Sequence, residues 1–331
     1  MFGWTDAAMS DLRPDNPALL TAASRLLLRD RATPADKAAL LRPVFEGAGV
    51  AERSAYVIWL AKSGLPHGAL DILTPDEAAS DNTAFVAQTE ALFRAGRQEE
   101  IIALADRTTG GVDEDIRLAM QARAEYEVGR SGADSLAGAM DAAARAGRLE
   151  QAVAIGDNSG ASVAVDRILI RICGAQALAD ESFRVARDRF GRKGMFSQVD
   201  EAYTRALAAD PASPQVLDHG RHLRLIAGEA VDPAETKAAV DADPANPDFR
   251  ATHALALLKA GRPAEALAVY DDVVVYAPAL APSQQAVVAA VLAANGDSDT
   301  AVSVSKTTDP ALLRPDEVAL VENAGLQLHA R

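Results

Sequence analysis

The chain has 331 residues, of which 49% are hydrophobic and only 5% aromatic, and its formal net charge is −14. An alanine-rich, aromatic-poor interior favours closely packed helices over a sheet core, and the acid surplus disfavours nucleic acid and anionic membrane surfaces as partners. The single cysteine, Cys173, excludes an intrachain disulfide and a cysteine-built zinc cluster.

Residues 1–49 read as a helical N-terminal cap. Asn16-Pro17 starts a helix carrying Leu20, Leu27 and Leu28. Thr33-Pro34 starts another through Leu40, Leu41 and Phe45, which Gly47 ends, because a capping side chain followed by proline suits a helix start. Met1 to Leu12 has no early basic residue and no long apolar core, so no secretory signal is expected.

From Val50 onward, turn glycines recur at Gly64, Gly96, Gly129, Gly194, Gly228, Gly261 and Gly296, in steps of 32, 33, 65, 34, 33 and 35. The step of 65 is close to two shorter ones. Similar residues recur around each glycine. Val57, Leu60, Ala69 and Leu73 surround Gly64, and Thr89, Leu92, Ile101 and Ala105 surround Gly96. A fixed period of this size predicts stacked helix pairs, so residues 50–132 form one block of repeats.

Residues 133–190 are less regular. Ala146-Gly147-Arg148 copies the turn signature only 18 residues after Gly129, and Gly156, Asn158 and Gly160 read as further helix breaks. An inserted helix or an interruption of the array is expected here. Cys173 ends the apolar run Ile168 to Ile172 and reads as a small buried hydrophobe.

A second block of repeats covers residues 191–308. Gly194, Val199, Tyr203, Ala206 and Pro211 form one unit, and Asn246 to Pro278 is the clearest. In that stretch Asn246-Pro247 starts a helix through Ala254, Leu257 and Leu258, and Gly261 is a left-handed helix end. Arg262-Pro263 then opens a second helix striped with Ala266, Leu267 and Tyr270 and closed by Pro278. Ser283 to Ala294, Gly296 and Ala301 to Ser305 make the last pair. Its apolar run Ala286 to Ala294 is too short to span a bilayer, so no direct membrane insertion is expected. The chain reads as soluble, whether cytoplasmic, periplasmic or part of an envelope-associated protein. After the break at Asp309-Pro310, residues 309–331 read as a C-terminal capping helix over Pro315 to Leu328, with Glu317, Glu322 and His329 exposed.

Ala254, Gly261, Ala266, Tyr270 and Pro278 together resemble a degenerate tetratricopeptide repeat of bacterial type. Arg250 stands where the family has a tryptophan, and Val273 where it has a small residue. The resemblance implies an all-α solenoid of stacked antiparallel helix pairs. The first helix of each pair would line a concave surface that receives an extended peptide or a partner helix. Carried onto this chain, that surface comprises Glu90, Phe93 and Arg94, then Arg123, Tyr126 and Glu127, then Asp218 and His222. Family members that clamp a C-terminal carboxylate use lysine and asparagine at these places, which disfavours chaperone-tail binding here. The implied function is a non-catalytic scaffold for a protein or peptide partner, and the acid surplus favours a basic one. The alternative is a structural or self-associating assembly subunit of a bacterial complex, that of the envelope being one option and a homo-oligomer another.

Candidate chemistry is sparse. Asp218 and His222 lie four apart on one helix face, a spacing compatible with metal ligation, but sequence supplies no third ligand. With His219 they read as a solvated polar face. Arg184, Arg187, Arg189, Arg192 and Lys193 form a basic patch suited to an anionic peptide or phosphate, or else a face paired with acidic neighbours. Gly156 to Gly160 reads as a plain loop, lacking the order of a phosphate loop or a nucleophile turn. Glu99-Glu100 and Asp271-Asp272 read as solvated, and His67, His253 and His329 as isolated. No catalytic grouping, metal site or cofactor site is expected, which ranks an enzyme or metal protein below both scaffold readings.

Overall fold

The structure is a computed structural model that describes residues 33–108 and 110–328. The helix expected from Asn16, the side chain of Leu40 and His329 lie outside the described residues. The described residues form eighteen α-helices and four short 3₁₀ turns, with no strand. None of these helices is long and apolar enough to cross a membrane. The chain divides into two compact units, Met1–Val165 and Asp166–Arg331, and the division falls within the stretch expected to be irregular.

The N-terminal unit begins at α1 (Pro34–Glu46), where the Thr33 side chain accepts from the Asp36 N–H at 3.2 Å and the Asp36 carboxylate accepts from the Thr33 N–H at 3.1 Å. This reciprocal cap satisfies two otherwise orphaned donors. α2 (Val50–Lys62) ends at Gly64. The expected return helix there is only a 3₁₀ turn, Pro66–Ala69, followed by α3 (Pro75–Ser80). Ala69 and Leu73 are still buried, in one core with Leu41, Phe45, Tyr56, Val57 and Leu60. α4 (Asn82–Arg94) and α5 (Gln98–Arg107) fold back at Gly96, and Phe85, Leu92, Phe93, Ile101 and Leu104 form the next core.

The expected irregularity resolves into ordinary hairpins. α6 (Glu114–Glu127), α7 (Ala133–Arg145) and α8 (Leu149–Asn158) turn at Gly129 and Gly147, which have φ of 77° and 67°. The half-period spacing is therefore one helix plus one turn. Gly156 does not break its helix, nor is Gly156 to Gly160 a plain loop. Gly156 lies inside α8, where an added Cβ would meet Val165 Cγ2 at 2.5 Å and Leu136 Cδ1 at 3.1 Å. Its small size permits that approach, and the chain turns only at Gly160.

α9 (Ser162–Ile172) spans the division between the units. The C-terminal unit continues with α10 (Ala179–Gly191), α11 (Phe196–Ala209), α12 (Pro214–Ile226), α13 (Pro233–Ala242), α14 (Pro247–Lys259), α15 (Pro263–Ala268), α16 (Pro282–Ala294), α17 (Ser298–Thr307) and α18 (Pro315–Asn323). Helices α10, α12, α14, α16 and α18 form a row in which each packs on the next, and α12 also reaches α18, so the row curls. Polar groups 33 to 36 residues apart in sequence join along it. The Ser213 hydroxyl donates to Asp180 Oδ1 at 2.5 Å, Thr252 to Asp218 Oδ2 at 3.1 Å, the Gln284 amide to Asp248 Oδ1 at 2.7 Å and Ser283 to Glu317 Oε1 at 2.5 Å. Apolar side chains fill the space behind the row, chiefly Leu225, Leu255, Leu257, Val287 and Val291.

Two expectations fail at helix ends. The second helix of the Asn246 unit stops at Ala268, so Tyr270 lies in a turn and Val273–Tyr276 is exposed. Arg250 explains the stop. Buried in α14, it donates to the carbonyls of Pro244 and Val269 and pairs with Asp272 at 2.7 Å, which holds residues 269–272 out of the helix. Three consecutive valines then disfavour its resumption. The final helix ends at Asn323 rather than Leu328, and Glu317 is buried rather than exposed, because its carboxylate faces α12 and α16. Glu322 is exposed.

Candidate functional site

In the N-terminal unit, α4 and α6 bring part of the expected groove together. The Arg123 guanidinium lies over the Phe93 ring, 3.8 Å from its centroid, and its Nε is 3.3 Å from Glu127 Oε1. Such stacking suits a planar guanidinium. Glu90 and Arg94 pair along α4 at 2.5 Å. The Tyr126 hydroxyl is buried without a partner, and burial raises its pKa. This patch is half-exposed and internally neutralised.

The five basic residues of α10 and its end are not a bare cationic face. Arg184 pairs with Glu181 at 2.9 Å, Arg187 with Asp248, Arg189 with Asp166 at 2.6 Å and Arg192 with Asp188 at 2.7 Å. Lys193 is exposed. Asp271 and Asp272 differ likewise, since Asp272 holds Arg250. His253 is not isolated, for its Nδ1 lies 2.9 Å from the Thr236 hydroxyl.

The most developed feature is a cleft of about 410 Å³ in the C-terminal unit, framed by the curled row α10, α12, α14, α16 and α18. Asp218, His219 and His222 line it from α12, and all three are buried, which overturns the solvated-face expectation. α18 covers His222, whereas His219 is enclosed by Phe183 and Tyr203 and Asp218 faces α10 and α14. His219 packs edge-on against Phe183 and Tyr203, 5.2 Å between centroids in each case. Burial, with Arg187 and His222 nearby, keeps its pKa well below the ordinary value, so it stays neutral. Asp218 is pushed up to about 7, first by burial and then by Asp248, against the opposing pull of Arg187. Its Oδ2 accepts from Thr252, whereas its Oδ1 is buried without a partner.

Across the cleft, His222 Nε2 lies 3.3 Å from Glu317 Oε1 and 3.1 Å from Ser283 Oγ. Burial alone would raise the pKa of Glu317, but the bonds from His222, Ser283 and the Arg314 N–H outweigh it and hold it below the ordinary carboxylate value. Serine, histidine and acid are thus together, but not as a nucleophile relay. A relay needs the acid and the hydroxyl on opposite ring nitrogens. Here both approach Nε2, and the hydroxyl proton goes to the carboxylate. Among the described residues no three His, Cys, Asp or Glu side chains are arranged to hold a metal ion.

Sequence spacing singled out Asp218, His222 and Arg187 but missed Thr252, Asp248, Ser283, Gln284, Arg314 and Glu317. A signal for all of these but Arg314 was present. Asp218/Thr252, Asp248/Gln284 and Ser283/Glu317 are 34, 36 and 34 residues apart, close to one repeat step. Polar residues at that spacing fall on helices of the row that pack on one another. No protein-family model matches this chain, and no curated protein does.

Proposed function

We propose that the protein is a non-catalytic interaction scaffold built of tetratricopeptide-like helix pairs, whose first helices present a preorganised surface to an extended segment or helix of a partner protein. One observation carries the reading. The polar groups of the first helices are held by one another at repeat spacing, so the surface is ordered before anything binds. A surface fixed in advance loses less conformational freedom on association, which favours many modest contacts over one deep anchor. The shared Nε2 of His222 supports the non-catalytic part, because Ser283 and Glu317 meet the same ring nitrogen and so do not form the relay that activates a serine nucleophile.

Capture of a co-purifying partner by the immobilised full chain tests the proposal. Glu90→Arg on α4 and Asp188→Arg on α10, two inner helices, should each weaken capture of a basic partner, whereas Glu201→Arg, exposed on α11, should not. The reverse pattern would move the binding surface to the outer helices and end this assignment.

A further inference from the structure

We infer that the cleft of the C-terminal unit receives one alkylammonium or guanidinium group on the unpartnered Oδ1 of Asp218. On the scaffold reading, from which this starts, that group is a lysine or arginine side chain of the bound partner.

The asymmetry among the charges in the cleft is the first reason. Each lining arginine already has an acid: Arg187 has Asp248, Arg192 has Asp188, Arg184 has Glu181, and Arg314 has Asp200 at 2.6 Å. An anionic ligand would have to break one of these pairs. Asp218 differs, being 1% exposed with one oxygen bonded to Thr252 and the other bonded to nothing. A buried acceptor left unmade costs free energy that a donor from a ligand would recover, and a charged donor recovers most. The second reason is the wall. Leu223, Ala251, Leu280 and Leu312 line the same cleft, and apolar side chains of this kind hold the methylene stem of a lysine or arginine. The third is size, since about 410 Å³ admits a side chain with its flanking backbone.

The groups facing Asp218 are Arg187 from α10, Asp248 and Thr252 from α14 and His222 from its own helix. Because burial lifts its carboxyl to about 7, a cation must displace a proton from Asp218 at pH 6 but finds it ionised at pH 8.

The test is a ¹⁵N–¹H NMR titration of the full chain with the capped tripeptide Ala-Lys-Ala, the same peptide carrying norleucine for lysine, and n-butylammonium chloride. The lysine peptide should bind about tenfold more tightly than the norleucine one, and its affinity should rise about tenfold from pH 6 to pH 8. Asp218→Asn should remove both the preference and the pH step, while backbone shifts remote from the cleft show that the variant is folded. The pH step in the unmodified chain is a second readout independent of any substitution. Equal binding of the two peptides, or a pH step that survives in Asp218→Asn, would overturn the assignment while leaving the scaffold reading intact. Absence of shifts with either cation up to about 10 mM would also overturn it. Butylammonium binding as tightly as the lysine peptide would support the cation seat but assign it to a free amine, against the partner side chain.

Discussion

Asp218 sits in the fold at a cost that depends on pH. Below about pH 4 its carboxyl is protonated in both the folded and the unfolded chain, and burial is cheap. Between that point and about 7 the unfolded chain gives up its proton while the folded chain keeps it, so this residue lowers stability as pH rises, and the full cost persists above 7. Asp218→Asn keeps the acceptor for Thr252 and removes the titration. Its melting temperature should exceed that of the unmodified chain by several degrees at pH 8, and the gap should close only as pH falls below about 4, by calorimetry. A difference that does not change with pH would mean that Asp218 is solvated. Cys173 is the opposite case, an ionisable group out of use: fully buried, with its thiol pushed up to about 12 by that burial, it is inert packing.

At the level of the helices, glycine spacing made the turns readable because each needs a backbone conformation that other residues resist. All seven glycines picked out by period have positive φ, from 65° at Gly194 to 87° at Gly228. Helix lengths were less readable, and α15 shows why. Its apolar spacing continues to Tyr270 and would support another turn. What stops it is the guanidinium of Arg250, nineteen residues earlier, taking the Val269 carbonyl. A long-range bond of that kind leaves no local trace. Arg250→Ala should therefore cost about 2–3 kcal/mol in urea unfolding, through lost packing and a carbonyl left without its donor. The Asp272 pairing adds little, since that carboxylate is largely exposed. A cost within a few tenths of zero would remove Arg250 as the cause of the short helix.

For the molecule as a whole, the all-helical class followed from composition and period, and the site did not. Asp218 and His222 stood out because both lie on one turn of one helix. The contacts of His222 did not, since it meets Ser283 and Glu317 at separations of 61 and 95 residues, and only the curl of the row decides that such positions meet. The acid surplus is equally uninformative about the site, where carboxylates and guanidiniums nearly balance.

The short α15 has one more effect. Past it, the N–H groups of Val274, Val275 and Tyr276 make no backbone hydrogen bond among the described residues, and Val274 is 98% exposed. Proteases thread their substrates as stretched chain, and helices deny them that shape. Among the described residues, limited digestion should therefore nick first after Tyr276 with chymotrypsin and among the valines with elastase; an earlier cut inside any of the eighteen helices would refute this. Because α14 and α16 still clasp each other across the gap, the severed pieces should part on a denaturing gel yet travel as one through a sizing column.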